Sequence, residues 1–221
     1  MIKYKDLIDI KITENQEKFV IIDQKIIKFG YIEVMSDMKS FLSGKIIVRK
    51  SVYQRLITAQ NYLKKFNPML DLYITYGYRS PEIQTNLFIK QLRNISENQF
   101  FSNLLNLYEA VHKFIAVPTV AGHPTGGAID LSICNVKNNK FLEFGSKIYD
   151  FSTDKCEVFN RNILIPAKKN RLLLRRIMMK AGFAPYDGEW WHFSYGDREW
   201  ANYYKQSKAI YRQIPINKIS F

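Results

Sequence analysis

The sequence predicts an α+β fold: a mainly antiparallel sheet packed by helices. Three observations predict it. Stretches of helical period and stretches rich in β-branched and aromatic residues are interspersed without a strand–helix–strand rhythm. No glycine-rich phosphate loop opens any of the helices. The chain has 221 residues, 47% hydrophobic and 14% aromatic, which is enough to bury a substantial core. No internal repeat or low-complexity linker divides it, so residues 1–221 read as a single domain.

The first 45 or so residues read as short strands and turns, with FVIID and KIIKFGYIEV as strand candidates. SVYQRLITAQNYLKKFNP (51–68) is a helix, because Val52, Leu56, Ala59, Leu63 and Phe66 recur at spacings of four and three. Asn67-Pro68 stops it. LDLYITYGYR (70–79) reads as a buried strand. A helix start follows, with Ser80 as N-cap, Pro81 at the first helical position and Glu82 at the positive end of the dipole. Arg79 thus sits at a strand-to-helix junction. A second helix is expected from Ser96 to Ile115, with Phe101, Leu104, Leu105, Tyr108, Val111 and Ile115 on one side. AIDLSIC (128–134) is a strand, and KKNRLLLRRIMMKA is a helix closed by Gly182. WWHFSY (190–195) is a strand, and the tail from Asp197 is partly helical.

The net charge is +13, from basic residues spread along the whole chain and not gathered in one arm. That spread fits a Lys-, Asn- and Ile-rich composition better than a dedicated anionic partner, and no motif of a nucleic-acid module appears. Nucleic acid is not an expected partner. The two cysteines, Cys134 and Cys156, are too few for a disulfide framework and read as reduced thiols. No apolar run reaches the ~18 residues of a membrane span, and charges interrupt the N-terminus where a signal peptide would need an apolar region. A cytoplasmic location is expected.

The chemistry concentrates in two short segments. In AGHPTGGAID (121–130), His123 lies in a Gly- and Pro-rich turn and Asp130 lies just inside the following strand. Alternation puts Ile129, Leu131 and Ile133 on a core face and Ala128, Asp130 and Ser132 on the other. Asp130 therefore looks into a small polar cavity, where a buried carboxylate needs a cation or hydrogen-bond donors. In YDGEWWHFSY, His192 lies in an apolar strand three positions after Glu189, which Gly188 keeps in the turn. His123, Asp130 and His192 could be three metal ligands. Three protein ligands with an open fourth position is the pattern of catalytic zinc. An unligated carboxylate such as Glu189 can then take a proton from water. Either half alone would ordinarily be a turn or a satisfied core histidine; two of the chain's three histidines falling beside carboxylates in both halves favours the site. The third, His112, lies beside the apolar face of its helix and reads as structural.

These residues resemble the D-alanyl-D-alanine dipeptidases, zinc peptidases related to the vancomycin-resistance dipeptidase and more remotely to D,D-carboxypeptidases. The family pattern S-x-H-x-x-G-x-A-x-D followed by E-x-W-H is met by His123, Gly126, Ala128 and Asp130, then by Glu189, Trp191 and His192. YGYRSP at 76–81 is similar to the family's G-Y-R-P segment with Ser80 inserted, and FGSKIYDFS and NRLLLRRIMMKAGF are also similar. The resemblance implies a D,D-peptidase/hedgehog-like sheet carrying one Zn2+ per chain, held by His123, Asp130 and His192. It implies Glu189 as general base and later acid, and Arg79 as support for the tetrahedral oxyanion. The substrate would be D-Ala-D-Ala or a similar cell-wall-type dipeptide.

Two positions depart from the pattern. Ala121 replaces a serine that helps hold the substrate. The acid expected to grip the substrate amine aligns with Tyr149, with Asp150 next to it as the substitute if the loop shifts by one residue. Two other functions stay open: a carboxypeptidase or endopeptidase on larger peptidoglycan peptides, and a non-catalytic zinc-containing binding module. Glu189 argues against the latter, since structural zinc has no use for it.

Overall fold

The computed structural model describes residues 2–221. In chain order the strands and α-helices are β1 (Lys11–Ile12), β2 (Phe19–Ile21), β3 (Lys28–Phe29), β4 (Ile47–Arg49), α1 (Lys50–Phe66), β5 (Leu70–Tyr76), α2 (Pro81–Asn98), α3 (Leu104–His112), β6 (Ala128–Asn135), α4 (Ile165–Lys180), β7 (Ala184–Pro185), β8 (His192–Ser194), α5 (Arg198–Tyr203) and β9 (Lys208–Ala209). The central sheet has the order β3-β5-β6-β8-β7, and only β3–β5 is parallel. The mainly antiparallel α+β architecture is therefore the one observed. Two small pairs flank it, β2 with β4 and β1 with β9.

The apolar stripe of α1 explains its place. Val52, Leu56, Ala59 and Leu63 are fully buried and pack with Leu72 and Ile74 of β5 and Ile129, Leu131 and Ile133 of β6. Leu174, Ile177 and Met178 of α4 complete that layer. Each such side chain contributes about 1.5–3 kcal/mol relative to exposure, so this face holds the sheet. Helix α4 ends as the sequence predicts: Gly182 has φ +90°, and Phe183 N–H donates to the Met178 carbonyl at 3.1 Å. Both Cys134 and Cys156 are free and buried. No helix among the described residues is long and apolar enough to cross a membrane.

Strand β5 carries an irregularity beside the chemistry. Ile74 pairs with Leu131, but Tyr76 pairs with Asp130, so Thr75 is the extra residue of a bulge. Its hydroxyl donates to the Asp130 carbonyl at 3.2 Å. The segment 144–157 packs against the sheet, with Phe144 and Cys156 in the same buried cluster as β6. Buried Arg171 of α4 ties that segment down by donating to the carbonyls of Phe144, Lys155 and Glu157.

Several elements differ from the sequence reading. The helix expected over 96–115 is the shorter α3; residues 96–98 end α2, which starts at Pro81 as the Ser80 cap predicts. Asn103 caps α3 by accepting from Asn106 N–H at 2.9 Å, and the chain from Gln99 to Asn103 is not helical. Leu104 and Leu105 are consequently exposed; Val111, Tyr108 and Ile115 make the contact. The apolar period that marks α3 already includes Phe101, which is why its start read too early. The strand at 190–195 is shorter, His192–Ser194, because Trp190 and Trp191 belong to the preceding turn. Of KIIKFGYIEV only Lys28–Phe29 is strand.

Candidate active site

The turn before β6 is built by its own polar groups. Thr125 Oγ1 donates to the Gly122 carbonyl at 2.6 Å and accepts from Gly127 N–H at 2.9 Å. Gly126 adopts φ +73° and lies against the Phe19 ring, where a Cβ would stand 2.3 Å from a ring carbon. This turn throws His123 back over the polar face of β6, as the alternation of AIDLSIC requires.

Asp130 of β6 and His192 of β8 are direct cross-strand partners, so their side chains share that face. Asp130 Oδ1 lies 2.9 Å from His192 Nδ1, and Oδ2 lies 3.3 Å from His123 Nε2. One donor atom from each of the three lies within 4.8 Å of the others, a group that could hold a metal ion. All three residues are buried. Burial alone would raise the Asp130 carboxyl, but the two histidines hold it well below the usual carboxylate range. Burial pushes His123 down. For His192 burial is outweighed by Asp130 and Glu199, which raise it.

The hydrogen bonds around the two rings do not balance. His123 Nδ1 lies 2.7 Å from the Gly77 carbonyl and its Nε2 faces Asp130; His192 Nδ1 faces Asp130 and its Nε2 lies 3.4 Å from Glu199 Oε2. Every ring nitrogen thus faces an oxygen that can only accept. With His192 raised and carrying both of its N–H groups, the two rings supply three N–H groups for four oxygens, and the lone pair of His123 Nε2 is left aimed at Asp130. His192 Nε2 has no partner with hydrogen-bond geometry. A cation held between Asp130 and the rings would remove the conflict, with His123 Nδ1–H donating to the Gly77 carbonyl and His192 Nε2–H directed to Glu199.

Glu189 lies in the turn before β8, its N–H donating to the Tyr186 carbonyl at 3.1 Å, and its side chain enters the same cleft. Burial raises its carboxyl to about 8, with Asp130 and Glu199 adding to the shift against His192 and Arg79. Arg79 follows β5 and is 4% exposed. Its guanidinium donates to Tyr76 Oη at 3.2 Å and Gln84 Oε1 at 2.9 Å, and stacks 4.7 Å over the Tyr76 ring. Four of the five residues singled out for chemistry come from β6, β8 and the turns before them; Arg79 is brought in across β5.

The residues named for substrate contact separate. Tyr149 enters the cleft, its hydroxyl donating to Asp130 Oδ2 at 3.2 Å and lying 2.9 Å from Thr75 Oγ1. Ala121 lines the same cleft and is buried. Asp150 does not: its carboxylate accepts from Ser152 N–H at 3.0 Å and Ser152 Oγ–H at 2.6 Å, on the wall of an outer groove of about 790 Å3. His112 accepts from Val117 N–H at 3.1 Å through Nδ1, a structural bond, yet its ring also borders the cleft. Glu199, in the first turn of α5, was not anticipated. Its neighbours Asp197 and Trp200 announce only a helix start, and Asp197 does cap Trp200 N–H at 2.9 Å.

A buried His–Asp–His donor set with a fourth, unligated carboxylate, carried by an antiparallel sheet, defines a metallopeptidase. Comparison with known proteins agrees. Residues 37–210 match the sequence profile of the D-ala-D-ala dipeptidase family, and the chain belongs to that family. It is 25% identical over 190 residues to a D-alanyl-D-alanine dipeptidase of Synechocystis, covering 76% of each chain. It is 29% identical over 132 residues to a D-alanyl-D-alanine dipeptidase of Enterococcus faecium, covering 58% of this chain and 63% of that protein. Among solved structures it is similar to the LdcB LD-carboxypeptidase, with 20% identity and a TM-score of 0.48 over 94% of this chain and 80% of that one.

Proposed function

We propose that this chain hydrolyses a short dipeptide, D-Ala-D-Ala or a near relative, with one zinc ion held by His123, Asp130 and His192. The observation that supports this most is the convergence of one buried donor atom each from His123, Asp130 and His192 to within 4.8 Å of one another. The donor set fits zinc. Two imidazoles and a carboxylate are zinc's usual nitrogen and oxygen donors, and here one atom of each lies within 4.8 Å of the others. When bound, the ion would supply a Lewis acid for the scissile carbonyl and an acidified water as nucleophile.

The chain's own groups do the rest. Glu189, buried beside the donors, takes the proton from the attacking water and returns it to the departing amine. Its raised carboxyl suits a group that must both accept and release a proton, and a cation held by the neighbouring donors would lower it by favouring the charged form. The Arg79 guanidinium, locked by Tyr76 and Gln84, presents fixed positive charge to the developing oxyanion. Tyr149 holds the Asp130 carboxylate from the side. Ala121 offers no hydroxyl to the substrate, so substrate grip rests on other groups of the cleft.

One observation favours a second reading. The groove lined by Val34, Phe141, Tyr149, Asp150 and Trp190 meets the cleft at Tyr149 and has room for several residues of a longer peptide. A carboxypeptidase or endopeptidase on peptidoglycan peptides would use it.

The test is metal content with turnover. About one zinc per chain and chelator-sensitive release of D-Ala from D-Ala-D-Ala establish the dipeptidase. Faster turnover of a pentapeptide or of intact sacculi establishes the second reading. A protein that binds no zinc when zinc is supplied overturns both.

A further inference from the structure

Glu199 is a carboxylate without a role in the chemistry just described. Its side chain is 9% exposed and lines the cleft. His192 Nε2 lies 3.4 Å from its Oε2. That nitrogen is in turn buried and unpartnered. An unpartnered nitrogen therefore faces a buried carboxylate across the back of a histidine whose other nitrogen points to Asp130.

We propose that Glu199 is a positioning residue: it fixes the tautomer of His192 by accepting from Nε2–H, so that the Nδ1 lone pair faces the zinc. The inference rests on the zinc reading above. The argument is one of symmetry between the two rings. For His123 the Gly77 carbonyl, 2.7 Å from Nδ1, forces the proton to that side and leaves Nε2 free. For His192 no backbone carbonyl does this, and Glu199 stands in the corresponding place. Without it, the favoured neutral form would put the proton on Nδ1, 2.9 Å from Asp130 Oδ1, where it blocks a ligand position. An anionic acceptor also raises the basicity of the ring it holds. The short helix α5 keeps Glu199 in place through the Asp197 cap and the Ala201 N–H bond to the Asp197 carbonyl at 3.0 Å.

The experiment compares wild type with Glu199→Leu and Glu199→Gln. Zinc dissociation constants are read by competition with a chromophoric chelator, and dipeptide kinetics are read at saturating zinc. Losing the acceptor should weaken zinc about 10–100-fold in the leucine variant. Glutamine keeps an acceptor without the charge and should lose less, on the order of threefold to tenfold. At saturating zinc the KM should stay within about twofold, because the residue acts on the ligand and not on the substrate. If the leucine variant does not fold, the glutamine variant decides. Zinc affinity unchanged in the folded variants overturns the proposal, and so does a raised KM with unchanged zinc affinity, which would make Glu199 a holder of the substrate amine. Failure of wild type itself to bind zinc would be the failure of the underlying reading, and is read separately.

Discussion

Two buried carboxylates lie at opposite ends of the same strand pair. Asp71 sits near the start of β5, opposite Cys134 of β6; Asp130 sits on β6, opposite Tyr76 of β5. Asp71 accepts from Gln60 Nε2 at 2.7 Å and pairs with Lys64 Nζ at 2.5 Å and Lys28 Nζ at 3.4 Å. Its neighbours carry permanent N–H groups, so the cluster is complete as it stands. Asp130 is surrounded by imidazoles, whose nitrogens can be donors or lone pairs, and these lack the protons to satisfy every oxygen they face. A buried acid among fixed donors is a structural clasp. A buried acid among convergent imidazole nitrogens is a group that could hold a cation, and the difference lies in partner chemistry, not in burial.

The contrast breaks most visibly at Asp130. Asp130→Ala should leave the fold intact and drop zinc from about one per chain to a small fraction, with turnover falling to background. Zinc stoichiometry unchanged by that substitution would remove Asp130 from the ligand set. Glu189→Gln sharpens the same comparison from the other side, because it spares the ligands. Zinc content should stay at the wild-type level while kcat falls about 10²–10⁴-fold. A variant close to wild-type rate would mean that another group takes the proton.

Much of the site was legible because it is local. The pairs His123–Asp130 and Glu189–His192 each lie within one turn and strand, and alternation in AIDLSIC fixed which way Asp130 points. The helix caps at Ser80 and Gly182 were legible for the same reason. What could not be read is what depends on contacts far apart in sequence. Gly77 reaches His123 across 46 positions. Glu199 reaches His192 only because α5 folds back over the cleft. The bulge at Thr75, which changes the partner of Asp130, leaves no mark in LDLYITY. The boundary between α2 and α3 was misplaced, since Phe101 and the exposed Leu104 and Leu105 look in sequence like the core face of one helix.

The smallest effect on catalysis belongs to the other end of the strand pair. Asp71→Asn removes the charge but leaves an oxygen for Gln60, and Lys64 is exposed enough to turn to water. The expected cost is on the order of 1–2 kcal/mol of stability, with kcat and zinc content unchanged. Its dependence on pH follows from the sign of the shift. Burial raises the Asp71 carboxyl, but hydrogen bonds from Lys64 and Gln60 and the Lys64 charge outweigh it and hold the group below the usual carboxylate range. A folded value below the unfolded one of about 3.9 contributes stability that is present above that pH and lost as pH falls through the folded value. Denaturant unfolding at a series of pH values should therefore show the gap between wild type and Asp71→Asn fully open at neutral pH and closing below about pH 4. A gap that persists into strong acid would show that the clasp works through packing and not charge, and the comparison with Asp130 would then rest on hydrogen-bond chemistry alone.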